Sequence, residues 1–355
     1  MQSVQTDFTK LLGVKSPIVV APMTFACGAA LATQVSLAGG FGFMAAGHLS
    51  PDDLSSELIL ARSLLGAAEG APLCIGSGFL VFQLEKNVAQ GEELLKMTCD
   101  AQVQAIWLAF GEDIGRWVHF IRSIDPNAGT QAAIKIFVQL STVEHVLRAV
   151  NDWKVDAIVA QGNEAGGHGL STSLPIITLL PLLKRTIETA GSGGQPLPLL
   201  LGAGGVATGE QVASLLALGA TGVVIGTRFC LCPESLCTGK QREVLVEAKS
   251  SESVRSMAFD LAMNRPGWPQ GIDGRALRNI YLGNVIDYES GVGINTLRSR
   301  YKGGVKIGDP AREIVWAGSG VGLMKSIKPA QETLRELHEE CLISLMKLST
   351  FTLKQ

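Results

Sequence analysis

Asp156-Ala157-Ile158-Val159-Ala160-Gln161-Gly162-Asn163-Glu164-Ala165-Gly166-Gly167-His168-Gly169 is the stretch on which the reading of the chain turns. Residues 156–160 read as a short strand buried on both faces. The run ends abruptly in a polar, glycine-rich loop, so the strand's carboxyl end delivers Gln161, Glu164 and His168 to one mouth of a sheet. Gly162, Gly166, Gly167 and Gly169 let the backbone turn sharply and approach a ligand. His168 supplies the side chain type whose unperturbed pKa suits proton transfer near neutral pH. A plain turn with an exposed histidine is the competing reading. An acid, an amide and an imidazole gathered among glycines favour a site. Glu164 itself reads as a structural carboxylate that holds the loop.

Working outward, similar apolar runs recur at 18–21, 41–46, 73–75, 105–109, 134–140, 197–201 and 222–225, which with 156–160 makes eight candidate strands. The segments between them suit helices, at 28–38, 51–65, 82–101, 114–124, 142–150, 174–189 and 209–218. Pro51 after Ser50 is a good first helical position behind an N-cap. Strands alternating with helices predict a parallel sheet, and eight repeats predict a closed (β/α)₈ TIM barrel, whose active site lies at the carboxyl ends of the strands. After Arg228 the alternation is lost. Residues 237–256 read as a charged helix, and glycine, proline, tyrosine and basic residues dominate 264–319. The expected organisation is a barrel of residues 1–236 and 319–355 interrupted by an inserted, mostly α-helical second domain at 237–318. Leu334, Leu337, Cys341, Leu345 and Leu348 then form one face of an amphipathic helix that closes over the barrel. Residues 191–194 read as a flexible loop.

Composition narrows the function classes. In 355 residues, 17% are charged and 46% apolar, which fits a sheet buried on both faces. A net charge of −2 leaves no electrostatic footprint for nucleic acid or anionic membrane. The apolar segment 212–232 is broken by Gly219, Gly222, Gly226 and Arg228, and reads as helix, turn and strand, not a membrane span. Seven scattered cysteines and a polar start predict free thiols in the cytoplasm. Cys230, Cys232 and Cys237 do not match a common zinc spacing, so no metal is expected. A homodimer is left open.

Two further loops carry chemistry. Leu201-Gly202-Ala203-Gly204-Gly205-Val206 and Gly226-Thr227-Arg228-Phe229 follow the seventh and eighth strands, each just before a helical segment. Bare backbone N–H groups there form a phosphate site of the kind frequent in TIM barrels. At the first strand, Ala21-Pro22-Met23 ends the run and sets a polarizable thioether at the barrel mouth, where a planar ligand would suit it. No early G-x-G-x-x-G with its following acid is present, so a Rossmann site is excluded.

Taken together, Ala21-Pro22-Met23, Ala38-Gly39-Gly40-Phe41-Gly42, the Gln161 to His168 stretch, Ala203-Gly204-Gly205 and Gly226-Thr227-Arg228-Phe229 resemble the nitronate monooxygenase family, and Glu234 also fits its pattern. The resemblance implies FMN, and a small-molecule substrate and O₂ as partners, with Ala203, Gly205, Gly226 and Thr227 holding the flavin's phosphate and Gly204 a further cofactor-binding residue. It implies Met23 against the isoalloxazine, Ala21 and Pro22 among the cofactor-binding residues, and Gln161, Ala165, Gly166 and Gly167 along the ring and ribityl chain. His168 matches the family's catalytic base, which takes the α-proton of a nitroalkane or orients a nitronate on the way to a carbonyl compound and nitrite. Gly76 stands where many members carry an amide facing the flavin, and Gln139 lies near where some carry a lysine. The scaffold also resembles NAD(P)H-dependent quinone and enoyl-thioester reductases, and a flavin-binding protein without turnover is a third reading. Trp316, Tyr281 and Tyr288 are candidates to line the substrate cleft, whereas His48, His119, His145 and His338 read as surface or packing residues away from the mouth.

Overall fold

The computed structural model describes residues 1–191, 196–265, 267–278, 283–309 and 311–350. Most of the loop expected at 191–194, and Tyr281, lie outside the described residues. Eight parallel strands close into a barrel in the order β1 (Ile18–Val20), β2 (Phe41–Ala45), β3 (Leu73–Leu80), β4 (Val103–Ala109), β5 (Lys135–Leu140), β6 (Ala157–Gln161), β8 (Leu199–Ala203) and β9 (Gly222–Ile225), with β9 pairing back onto β1. The chain forms a TIM barrel, with every strand at an expected apolar run. β3 runs on to Leu80 because Gly76, Ser77 and Gly78 pair with Ala105, Ile106 and Trp107 despite interrupting the apolar pattern.

The barrel interior is an aromatic core. Phe43 packs edge-on against Phe41, Trp107 and Phe137 at ring separations of 5.1, 5.2 and 5.2 Å. Phe8, from the N-terminal helix Asp7–Leu12, closes the end of the barrel opposite the site and touches Phe137 edge-on at 6.4 Å. Such layered, bulky filling makes the barrel a packed core and leaves only its mouth for chemistry.

Helices follow the strands around the outside. Pro51–Leu65 and Ile114–Ile124 begin and end where the sequence places them. The helix expected at 82–101 is two, Val81–Lys86 and Val88–Asp100, because Asn87 breaks the path and its side chain accepts from the Gln90 N–H. The final helix, Ala330–Ser349, packs between Gly209–Ala217 and Ala29–Leu37, with Leu334, Leu337 and Cys341 buried. It takes the place of the barrel's eighth outer helix, so the intervening segment enters between the eighth strand and its helix. The expected closure over the barrel is thus made on its flank.

Between them the chain forms helices Gly239–Glu247, Ala258–Met263, Asn284–Glu289 and Ile294–Lys306. It also forms two strands, β10 (Ser253–Ser256) and β11 (Ile272–Leu277). The single charged helix expected over 237–256 therefore ends at Glu247. β11 pairs antiparallel with both β10 and β7 (Gly167–Leu170), with Gly274 opposite His168. The second half of the histidine loop is thus a strand of this small sheet, which ties the loop to the inserted segment. Among the described residues no helix is long and apolar enough to cross a membrane.

Candidate active site

A cavity of about 640 Å³ opens at the carboxyl ends of the barrel strands. Its wall includes Ala21, Pro22 and Met23 after β1, Gly78 in β3 and Gln139 in β5. Gln161 of β6, Ala165, Gly166, Gly167, His168, Ala203, Gly204, Gly205, Gly226 and Thr227 complete the expected set that lines it. The volume is ample for a small cofactor and a substrate together.

The two glycine loops bring unpaired backbone donors to the cavity wall. Gly204 and Gly205 lie at φ +121° and +70°, a region closed to most side chains. Among the described residues, the N–H groups of Gly204, Gly205, Gly226 and Thr227 have no intramolecular acceptor. Backbone donors rarely stay unpaired away from water, so four of them around one end of a cavity fit a bound anion with several acceptor oxygens. The Thr227 hydroxyl accepts from the Gly318 N–H at 3.0 Å and ties this end to the returning chain.

His168 is held from three sides. Its Nε2 lies 3.0 Å from both carboxylate oxygens of Asp260, with the two side chains 14% and 6% exposed. The Trp268 ring stacks on the imidazole at 3.6 Å and 14°, and Trp316 leans on it at 4.8 Å. Gln161 accepts from Gln139 Nε2 at 2.9 Å and donates to the His168 carbonyl oxygen at 3.3 Å, so both amides serve the same loop. Glu164 points away from the chemistry and accepts the Ile176 N–H at 3.0 Å at the start of Ile176–Ala190.

The family model for nitronate monooxygenase matches residues 5–340. A nitronate monooxygenase of Neurospora crassa is 33% identical, with 99% of this chain and 97% of that protein covered. The chain belongs to the nitronate monooxygenase family. The nitronate monooxygenase npaC of Metarhizium robertsii is 31% identical over 92% of this chain and 91% of its own length. Among solved structures, FabK of Thermotoga maritima superposes with a TM-score of 0.77 at 24% identity, covering 99% of this chain and 100% of that one. Nitroalkane oxidase of Streptomyces ansochromogenes gives 0.74 at 24%, covering 96% and 99%. At such identities these two report the shared barrel.

In this member of the nitronate monooxygenase family, several positions differ from expectation. Gly76 does not line the cavity: a Cβ there would overlap the Phe43 ring, so this glycine makes room for the aromatic core. Gly78, two residues on along β3, is the glycine of this strand at the mouth. His48 is at the cavity wall, not away from it. Its buried Nδ1 has no hydrogen-bond partner among the described residues, burial lowers its pKa, and the Phe25 ring meets it edge-on at 4.8 Å. Trp316 lines the cavity, whereas Tyr288 is exposed and outside it. Glu234 receives the Ala330 N–H at 3.1 Å and anchors the closing helix, so its role is structural.

Asp260 and Trp268 were missed. A lone acid in the apolar Ala258-Phe259-Asp260-Leu261-Ala262-Met263 was the available signal for the first, since such a carboxylate needs a partner. Cys230, Cys232 and Cys237 do not form a ligand set: among the described residues no group of three or more His, Cys, Asp or Glu is placed to hold a metal. Cys230 lies at the cavity wall with its Sγ 3.6 Å from Met23 Sδ.

Proposed function

We propose that this chain is an FMN-dependent nitronate monooxygenase that converts alkyl nitronates and nitroalkanes, with O₂, to carbonyl compounds and nitrite. The observation that carries the reading is the pairing, in one cavity, of four backbone donors unpartnered among the described residues with a partly buried histidine held by Asp260 and two indoles. The family is flavin-dependent, and these donors suit the single phosphate of FMN. Ala203, Gly204, Gly205, Gly226 and Thr227 would hold that phosphate. Ala21, Pro22, Met23, Gln139, Gln161, Ala165, Gly166 and Gly167 would wall its ring and chain. When bound, the flavin supplies the electron transfer from substrate to O₂.

The protein supplies the rest. His168 takes the α-proton of a neutral nitroalkane on the ring nitrogen that Asp260 does not occupy, and in its protonated form donates from that nitrogen to orient an anionic nitronate. Trp268, Trp316 and the rim residues Phe25 and Arg265 exclude water, with the Arg265 guanidinium 5.2 Å from the centre of the Phe25 ring. The inserted segment 237–318 acts as the substrate lid, since Asp260, Arg265, Trp268 and Trp316 all come from it. Seven free thiols fit a cytoplasmic enzyme.

Steady-state assays of nitrite release and O₂ uptake test the reading. His168→Asn should keep its flavin and lose roughly 10²- to 10⁴-fold in kcat/KM on nitroethane, with a much smaller loss on ethyl nitronate, because only the neutral substrate needs a base. Unchanged rates on both substrates would remove His168 from the reaction.

A further inference from the structure

We propose that Asp260 is the positioning residue of the proton-transfer step, holding His168 as the Nε2–H tautomer and balancing the charge the ring gains when Nδ1 takes the substrate proton. The inference rests on the reading of His168 as the base. A carboxylate can only accept, so the hydrogen bond at 3.0 Å commits Nε2 as the donor. Neutral imidazole has one N–H, which leaves Nδ1 as the lone-pair nitrogen. Nδ1 has no hydrogen-bond partner among the described residues, and His168 lines the cavity while Asp260 does not. The ring thus has one edge toward the carboxylate and the other available to substrate.

The surroundings fix that orientation. Trp268 covers one ring face at 3.6 Å and Trp316 crowds the ring at 4.8 Å, so a flip that exchanged the nitrogens would have to displace an indole. Gly274, opposite His168 on β11, leaves the space Trp316 occupies, where a Cβ would overlap the indole ring. Asp260 is buried, and its carboxylate has no Lys or Arg ion pair and no second hydrogen-bond donor among the described residues. A buried carboxylate without a cation is costly unless a charge forms beside it. The imidazolium created by proton abstraction is that charge, and it is present only after the proton has moved, so its pairing with Asp260 favours the product side of the step. This arrangement needs the inserted segment, because Asp260 lies on Ala258–Met263 while His168 follows the sixth barrel strand.

The test compares wild type with Asp260→Asn and Asp260→Glu in the flavin-loaded enzyme, on nitroethane and on preformed ethyl nitronate. Asp260→Asn should lose at least about tenfold in kcat/KM on nitroethane and less than about threefold on the nitronate, at unchanged flavin content. The deuterium isotope effect with 1,1-dideuteronitroethane should rise as proton abstraction becomes slower. Asp260→Glu keeps the carboxylate and should recover part of the nitroethane rate. Equal losses on both substrates, or no loss, would overturn the proposal. A second readout does not depend on turnover: ¹⁵N spectra of histidine-labelled protein, with His168 assigned from the His168→Asn variant, report the tautomer directly. Wild type should show Nε2–H at His168, and Asp260→Asn should lose that preference. An unchanged tautomer would overturn the role of Asp260 even in an enzyme that oxidises nitronates. A wild type inactive on both nitro compounds but showing the expected tautomer shift would overturn the proposed activity and leave the positioning role standing.

Discussion

Gly205 sits at φ +70° with its missing Cβ directed at Glu164 Cβ, 2.9 Å away. Gly205→Val should therefore move the loop off the phosphate position. Losing one backbone hydrogen bond to a charged group, about 1.5–3 kcal/mol, weakens binding roughly ten- to a hundredfold. The expected outcome is a colourless protein that takes up FMN only at raised concentration, read from flavin absorbance after gel filtration. A yellow variant with full FMN content would displace the cradle from these loops. Cys237 makes a second residue-scale prediction. Its contact with the Cys230 thiol, outweighing burial, lowers it to about 7, while burial pushes Cys99 up to about 12 and raises Cys27 further. Thiolate is the reactive form, so iodoacetamide should label Cys237 ahead of Cys27 and Cys99, with a rate that climbs through pH 7. Peptide mass spectrometry checks the order, and first labelling at Cys99 would contradict it. The place of the glycine loops and His168 at the cavity was legible in the sequence because backbone chemistry and a loop imidazole announce themselves locally. Asp260, Trp268 and His48 were not, because each acquires its role from a contact between segments distant along the chain.

At the scale of elements, apolar runs named all eight barrel strands, since a strand covered on both faces has little room for polar side chains. The same rule cut β3 short at Ile75, where glycine and serine continue the pairing without looking like a strand. It also hid β10 and β11. Three of the four residues Ser253-Val254-Arg255-Ser256 are polar, and β11 carries Asp273 and Arg275 because both bond to β10 across the small sheet. Arg255 pairs with Asp273 and donates to the Gly169 carbonyl at 2.8 Å. The closing helix offers the clearest test of an element. Leu337 is buried where its own carbonyl would meet any Cβ added at Gly209, and Glu340 accepts the Gly209 N–H at 2.7 Å. Leu337→Ala should cost about 2–5 kcal/mol of stability. Urea unfolding measures it, and a loss well under 1 kcal/mol would mean the helix is not the eighth outer helix of the barrel.

For the whole molecule, the amino-terminal segment meets the closing helix at His338, which is buried with Nδ1 2.9 Å from Ser16 Oγ and Nε2 2.7 Å from the Gln2 carbonyl oxygen. Burial holds its pKa below the ordinary value of about 6.5. The unfolded chain takes up a proton at this histidine before the folded one does, so stability should fall as pH drops through about 6.5, and His338→Gln should flatten that slope. Thermal unfolding between pH 5 and 8 checks the sign, and stability that rises toward acid would contradict it. The largest claim is that the barrel mouth takes electrons from a nitronate and not from a pyridine nucleotide. The direct measurement is the visible spectrum of the purified flavoprotein without oxygen, mixed separately with an alkyl nitronate and with NAD(P)H. Bleaching of the flavin by the nitronate alone is the predicted result, and bleaching by NAD(P)H alone would make this chain a reductase and contradict the account.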